Sequence, residues 1–322
     1  MEHIIDQMND REIAESTKKL YVKKLEMLHK GCGTDEDDYG FLKDTEKVLG
    51  WISQFKSAKR RSLYNSVLVG LSPASKTEIP QDVAQEYNIY RDKMLEENAK
   101  VLEDKVEQKK TETEDGNWAT IKELFKVIKT YKDVIRVKGY NLKNPPQREK
   151  DVDILQRCLV GCMYLAQAPR RLEYGNMVRI SKKDYDGLDT EVKESNNYVV
   201  RAGVRKMFFS FGDTKVRKAT LQTIDIHPQL VNLIRMWYSA TPDATSFLLG
   251  YKGEPQTCNG LSKYLIGKVF EPTGKKIGAS MIRKIYLSEK YEKDTPLKEK
   301  METAALMNHS AGTAEMHYVK KG

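Results

Sequence analysis

The stretch KMFFSFGDTKVRKATLQTIDIHP, residues 206–228, is where the chain changes its period. On either side of it, apolar residues recur at the three-to-four spacing of a helix face. Here "KMFFSFG" (206–212) and "TLQTIDIHP" (220–228) are short and rich in aromatic and β-branched residues, and they flank the polar turn "DTKVRKA" (213–219). That pattern predicts a β-hairpin with a basic tip inside an otherwise helical chain. The expected class is mainly α with a small antiparallel β-sheet.

Working outward, four helices are expected before residue 107. In "ESTKKLYVKKLEMLHKGCG", Ser16 and Thr17 are capping candidates, Tyr21, Leu25 and Leu28 share a face, and Gly31 and Gly33 stop the helix. "DYGFLKDTEKVLGWISQF" and "KSAKRRSLYNSVLVGL" follow, and a long helix opens at Pro80. "EQKKTETEDGN" (107–117) is charged and contains glycine, the composition of a linker. The expected domains are therefore 1–113, helical, and 114–322, larger and carrying the sheet. In the second, "NWATIKELFKVIKTYKDVI" is a helix capped by Asn117 or Thr120, and "DILQRCLVGCMYLAQAP" is apolar enough to be central. Helices return after Pro228, including "SMIRKIYLSEKYEK" and "LKEKMETAALMNHS".

The 322 residues are 31% charged, and no apolar run reaches the ~20 residues that span a bilayer. The first residues, "MEHIIDQMNDREIAE", lack a signal-peptide pattern. An intracellular setting, cytosol or nucleus, is the expectation. The four cysteines are scattered without metal-type pairing, and Cys158 and Cys162 fit one face of a buried helix. The net charge of +9 favours polyanions, though charge alone does not separate a nucleic-acid binder from an ordinary basic protein.

Four segments carry candidate chemistry. "QAPRRLEYGNM" places Arg170 after a helix-ending proline, with Glu173 three residues on. Arg170 can fork onto a phosphate or pair with Glu173. Lys215, at the hairpin tip, can deliver a proton into a groove or belong to a solvated turn with Arg217 and Lys218. Arg283 in "SMIRKIYLS" lies among apolar residues and needs a partner, either a bound phosphate or a carboxylate. In "ALMNHSAGTAEMHYVKKG", Tyr318 comes nine residues after His309, which suits a nucleophile as well as a capped helix.

These pieces fit one reaction. A phenol attacking phosphorus needs cations for the extra charge on the non-bridging oxygens, and an acid for the leaving oxygen. Arg, Lys, Arg, His and Tyr in this order resemble the tyrosine recombinase (phage integrase) family over most of the chain. "APRRLE" looks like the first box, with Arg170 its arginine and Glu173 the supporting acid. Lys215 is the hairpin lysine, in preference to Lys218. "SMIRK" looks like the second box, with Arg283. "LMNHS" is similar to the family's Leu-Gly-His-Ser, with His309, and Tyr318 falls on the nucleophile. "NWATIKEL", "APRRLEY" and "MIRKIYLS" are nearer to integrases of large DNA viruses and virophages than to bacterial ones.

The resemblance implies a helical core-binding domain followed by an α+β catalytic domain. It also implies cleavage and rejoining of double-stranded DNA through a 3′-phosphotyrosine, without metal, ATP or other cofactor. A homo-tetramer on paired sites is implied as well. Only four residues follow Tyr318, so contacts between protomers are expected from elsewhere than a long tail. One departure stands out: the second box begins with histidine in the family, and here that position is Ser280. A hydroxyl donates and accepts hydrogen bonds but is no acid or base near neutral pH. Two rivals follow, a type IB topoisomerase and a DNA-binding relative that has lost the chemistry.

Overall fold

In the computed structural model, the described residues are 10–33, 39–72, 78–214, 221–291 and 294–321. They form two compact units, divided between Glu107 and Gln108.

The first unit is helical. It contains α1 (Glu15–Cys32), α2 (Thr45–Ser53), α3 (Ser57–Leu71) and α4 (Ala84–Val106). Leu25 and Leu28 of α1, Val48 and Ile52 of α2, Leu63 and Val67 of α3 and Tyr90 of α4 close one core. The Tyr90 hydroxyl meets the Leu42 carbonyl at 2.8 Å inside it. α1 starts behind Ala14 with no side-chain cap, so neither Ser16 nor Thr17 plays the capping part expected of it.

The second unit opens with a departure from expectation. Within the presumptive linker, Thr111 caps a short helix, α5 (Glu112–Gly116), through a capping box with Glu114. The backbone N–H of Lys321 donates to the carbonyl of Gln108 at 2.9 Å, so this stretch is paired into the second unit. α6 (Ile121–Val137) also has a capping box, built by Thr120 and Glu123. α7 (Glu149–Leu165) packs against it, and Gly161 permits the approach, because a Cβ there would lie 2.0 Å from Ile128. Cys158 and Cys162 are buried on α7 as free thiols.

The sheet has four strands in the order β1 (Val178–Ser181), β2 (Asn197–Arg201), β3 (Met207–Phe211) and β4 (Gln222–Asp225). The expected hairpin is β3 and β4, antiparallel, with Phe211 opposite Gln222. The sheet as a whole is mixed rather than antiparallel, since β1 runs parallel to β2. The reason is the connection. Residues 182–196 form two short helices, α8 (Lys182–Asp186) and α9 (Thr190–Glu194), long enough to carry the chain back for a parallel strand. Phe209, Phe211 and Val199 face the main core, whereas Tyr198, Val200 and Phe208 meet Tyr185 of α8 on the other side. The chain continues through α10 (Pro228–Ala240), α11 (Cys258–Tyr264), α12 (Ala279–Lys290), α13 (Leu297–Leu306) and α14 (Ala311–His317). No helix among the described residues is long and apolar enough to cross a membrane.

Candidate active site

The segment joining α13 to α14 sets the geometry. Asn308 has φ +57°, the left-handed region. The N–H of His309 reaches the Ala304 carbonyl at 3.1 Å, and that of Asn308 reaches Ala305 at 3.0 Å. This is a Schellman ending, which calls for glycine or asparagine at the left-handed position. Ser310 then caps α14 by accepting from the Thr313 N–H at 3.1 Å. His309 is thus fixed between the end of one helix and the start of the next. The two turns of α14 bring Tyr318 back beside it, with the rings stacked at 5.2 Å and 14°. The nine-residue spacing seen in the sequence is this cap plus two turns.

Three arginines meet the end of α13. Arg170 Nη1 donates to the Leu306 carbonyl at 3.0 Å, Arg283 Nη1 to Met307 at 3.1 Å, and Arg171 Nη1 to Asn308 at 3.4 Å. Helix C-terminal carbonyls lack intrahelical donors and favour cations, so the end of α13 draws guanidinium groups. Arg170 also reaches Gln222 Oε1 at 2.5 Å and stacks on Phe211 at 3.9 Å. Gln222 in turn donates to the Ala305 carbonyl at 3.1 Å. Arg283 holds the Pro169 carbonyl at 3.0 Å, and its guanidinium lies 4.5 Å over the Tyr318 ring.

The two arginines are 1% and 0% exposed, yet Nε and Nη2 of each find no acceptor among the described residues. Glu173, 5% exposed, comes only to 3.8 Å from Arg170 Nη2, and neither of its oxygens accepts a hydrogen bond there. Buried donors are almost always paired, so these four nitrogens are where a further acceptor would be received. Burial lowers the pKa of Arg170, against the pull of Glu173, and lowers that of Arg283, against the pull of Tyr318. Guanidinium groups stay charged regardless.

His309 is driven down to about 4, by burial first and the charge of Arg283 second. Its Nδ1 faces the Ser310 carbonyl at 3.1 Å. A carbonyl only accepts, so Nδ1 carries the hydrogen, and the neutral ring leaves Nε2 as a buried lone pair without a partner among the described residues.

Tyr318 borders a cavity of about 840 Å³ whose wall includes Arg171, Glu173, Cys258, Ser280 and Lys284. Asp213 and Thr214 line it too, directly before the hairpin tip. Buried Asn197 anchors that base by donating to the Asp213 carbonyl at 2.9 Å and accepting from the Gly212 N–H at 3.1 Å. Gly212 is required here, because a Cβ would lie 2.0 Å from the Lys193 carbonyl. Lys215, and with it Arg217 and Lys218, lies outside the described residues.

Of the residues expected from sequence, Arg170, Glu173, Arg283, His309 and Tyr318 come together, and Ser280 shares a cavity wall with Tyr318. The carboxylate partner considered for Arg283 gives way to two backbone carbonyls. Arg171, Gln222 and Asn308 escaped the sequence reading. Arg171 stands beside the first arginine, and Asn308 stands where the motif Leu-Gly-His-Ser, to which "LMNHS" was likened, has glycine. Gln222 carried no local signal. Comparison with protein-family models, with curated proteins and with solved structures finds no match to this chain.

Proposed function

We propose that the chain is a site-specific DNA strand transferase of the tyrosine recombinase kind, with Tyr318 as nucleophile. One observation carries the reading: two buried guanidinium groups with open donors converge where a phenol and a neutral imidazole stack. A phosphodiester is the ligand whose non-bridging oxygens such donors suit.

In this reading Tyr318 gives up its phenolic proton to solvent as Oη attacks phosphorus. The Oη–P bond forms, the P–O5′ bond breaks, and the strand is left as a 3′-phosphotyrosine. Arg170 and Arg283 hold the non-bridging oxygens as charge accumulates. His309 becomes a donor to the same oxygens once phosphate charge restores its second proton. The resemblance assigns Lys215 the proton that the 5′ oxygen takes on leaving. Attack by a 5′ hydroxyl on the phosphotyrosine reverses the step, and the ester conserves the bond energy, so no nucleotide is consumed. The helical first unit serves as the core-binding domain, the second as the catalytic domain, and four protomers act on paired sites in duplex DNA.

The test uses a nicked duplex library of random sequence and a denaturing gel. The wild-type protein is expected to form a covalent adduct, mapped to Tyr318 by peptide mass, and Tyr318→Phe to form none. An adduct retained by the Phe variant would overturn the assignment. A wild-type protein that binds the library without forming any adduct would favour the DNA-binding relative that Ser280 suggests.

A further inference from the structure

Ser280 leaves the site without the imidazole that its place in the second box calls for. Lys284 lies one helical turn further along α12, on the same face. Both side chains border the cavity that Tyr318 borders. What holds Lys284 there comes from the stretch that reads as a linker. Glu114 of α5 is 8% exposed, and its Oε1 takes the Lys284 ammonium. The other oxygen, Oε2, accepts the capping N–H of Thr111 at 3.0 Å and lies 3.5 Å from Nζ of Lys320, two residues beyond the tyrosine. One carboxylate therefore fixes the cation on the cavity wall and the segment that follows Tyr318. Burial raises the Glu114 pKa, but the hydrogen bonds from Lys284 and Thr111 outweigh it and keep the carboxyl below its usual range. An ammonium has three donors, and this contact occupies one.

We propose that Lys284 is a catalytic residue that stands in for the missing imidazole, donating to a non-bridging oxygen of the scissile phosphate, and that Glu114 is its positioning residue. The assignment rests on the phosphodiester reading above. No bond to Lys284 forms or breaks. Its cation is added to those of Arg170 and Arg283 as the pentavalent phosphorus gains charge. Arg171 and Lys276 are the rival cations on the same wall, but neither lies on the Ser280 face of α12, and Arg171 is turned to the Asn308 carbonyl.

The experiment measures the rate of adduct formation on the duplex that the wild-type protein selects from the nicked library. Affinity is read separately, in a Tyr318→Phe background. Lys284→Ala should slow the step roughly a hundredfold, the usual scale for losing one preorganised charge-stabilising donor. Lys284→Arg should recover part of the rate, and Ser280→His placed in the Lys284→Ala protein should recover more. Glu114→Gln should slow the step roughly tenfold, as a slightly misplaced group does, with affinity close to wild type and a lowered melting temperature, because the neutral amide gives up the stability of the ionised carboxylate. Lys276→Ala should leave the rate alone. Full activity in Lys284→Ala, no recovery from Ser280→His, or a loss that follows Lys276 instead would overturn the proposal. If the wild-type protein forms no adduct at all, the reading of the site falls first and this proposal falls with it.

Discussion

Each nitrogen of Arg60, in the first unit, has an acceptor. Nε and Nη2 meet Glu97 Oε1 at 3.0 and 2.9 Å, and Nη1 meets the Phe55 carbonyl at 2.9 Å. The second oxygen of Glu97 takes the Ser57 hydroxyl at 2.5 Å. Arg283 of the second unit is more deeply buried and uses a single nitrogen, shared between two carbonyls, while Nε and Nη2 stay open among the described residues. Arg60 closes its hydrogen bonding within the fold, as a structural ion pair does. Arg283 is held in place without being satisfied. In the phosphodiester reading proposed above, a group fixed by one nitrogen and open at two is preorganised for the substrate.

Replacing each arginine arrangement separates the two uses. Arg283→Met should slow adduct formation roughly a thousandfold, at the upper end for loss of one charge-stabilising group. The melting temperature should hold or rise, because an uncompensated buried cation has been replaced by apolar volume. Glu97→Ala should do the opposite at its own site and cost about 1–3 kcal/mol by chemical denaturation, since it strips a satisfied network of its acceptor. If Arg283→Met melted well below wild type, its donors would be structural and the contrast would fail.

The next effect is on acidity. With His309 held at about 4 in the folded chain and an ordinary imidazole near 6.5 when unfolded, acid protonates the unfolded state first. The stability contributed here is full above the unfolded value and lost as the pH falls from there through the folded one. NMR titration of the DNA-free protein should find this imidazole titrating near 4. Inorganic phosphate should move that midpoint upward by filling the open donors beside it. A ring that titrates normally, or that ignores phosphate, would mean that the pocket is not the anion site that Arg283 implies.

The smallest change concerns the corner itself. Asn308→Ala should cost about 1 kcal/mol, the penalty of a Cβ in the left-handed region without asparagine's local hydrogen bonding. Asn308→Gly should be neutral in a thermal melt. Equal losses for both would show that the corner depends on the asparagine side chain rather than on backbone conformation.

Much of this arrangement was legible because it is written locally. The hairpin showed as a change of period, the cap of α6 as a choice between Asn117 and Thr120 of which Thr120 is the one used, and the His309-to-Tyr318 interval as a spacing that two helical turns satisfy. The parts that escaped are set by distant chain. β1 and β2 are four and five residues long and pair in parallel across two short helices, so neither carries a pattern of its own. Gln222 matters only because strand register puts it beside Phe211, under Arg170. α5 reads as solvent-facing chain, because the lysines that bury Glu114 lie 170 and 206 residues further on. α14 is seven residues long, too short for an apolar stripe to show.

The pairing of Lys321 with Gln108 makes a mechanical joint between distant parts of the sequence. The polypeptide leaves α4 at Val106 and, two residues later, is bonded to the segment that follows Tyr318. Gln108 also grips the Glu315 carbonyl of α14 through Nε2 at 3.0 Å. The two grips fall three residues before and three residues after Tyr318, so the turn that carries its ring is clasped at both ends by a single glutamine more than two hundred residues away.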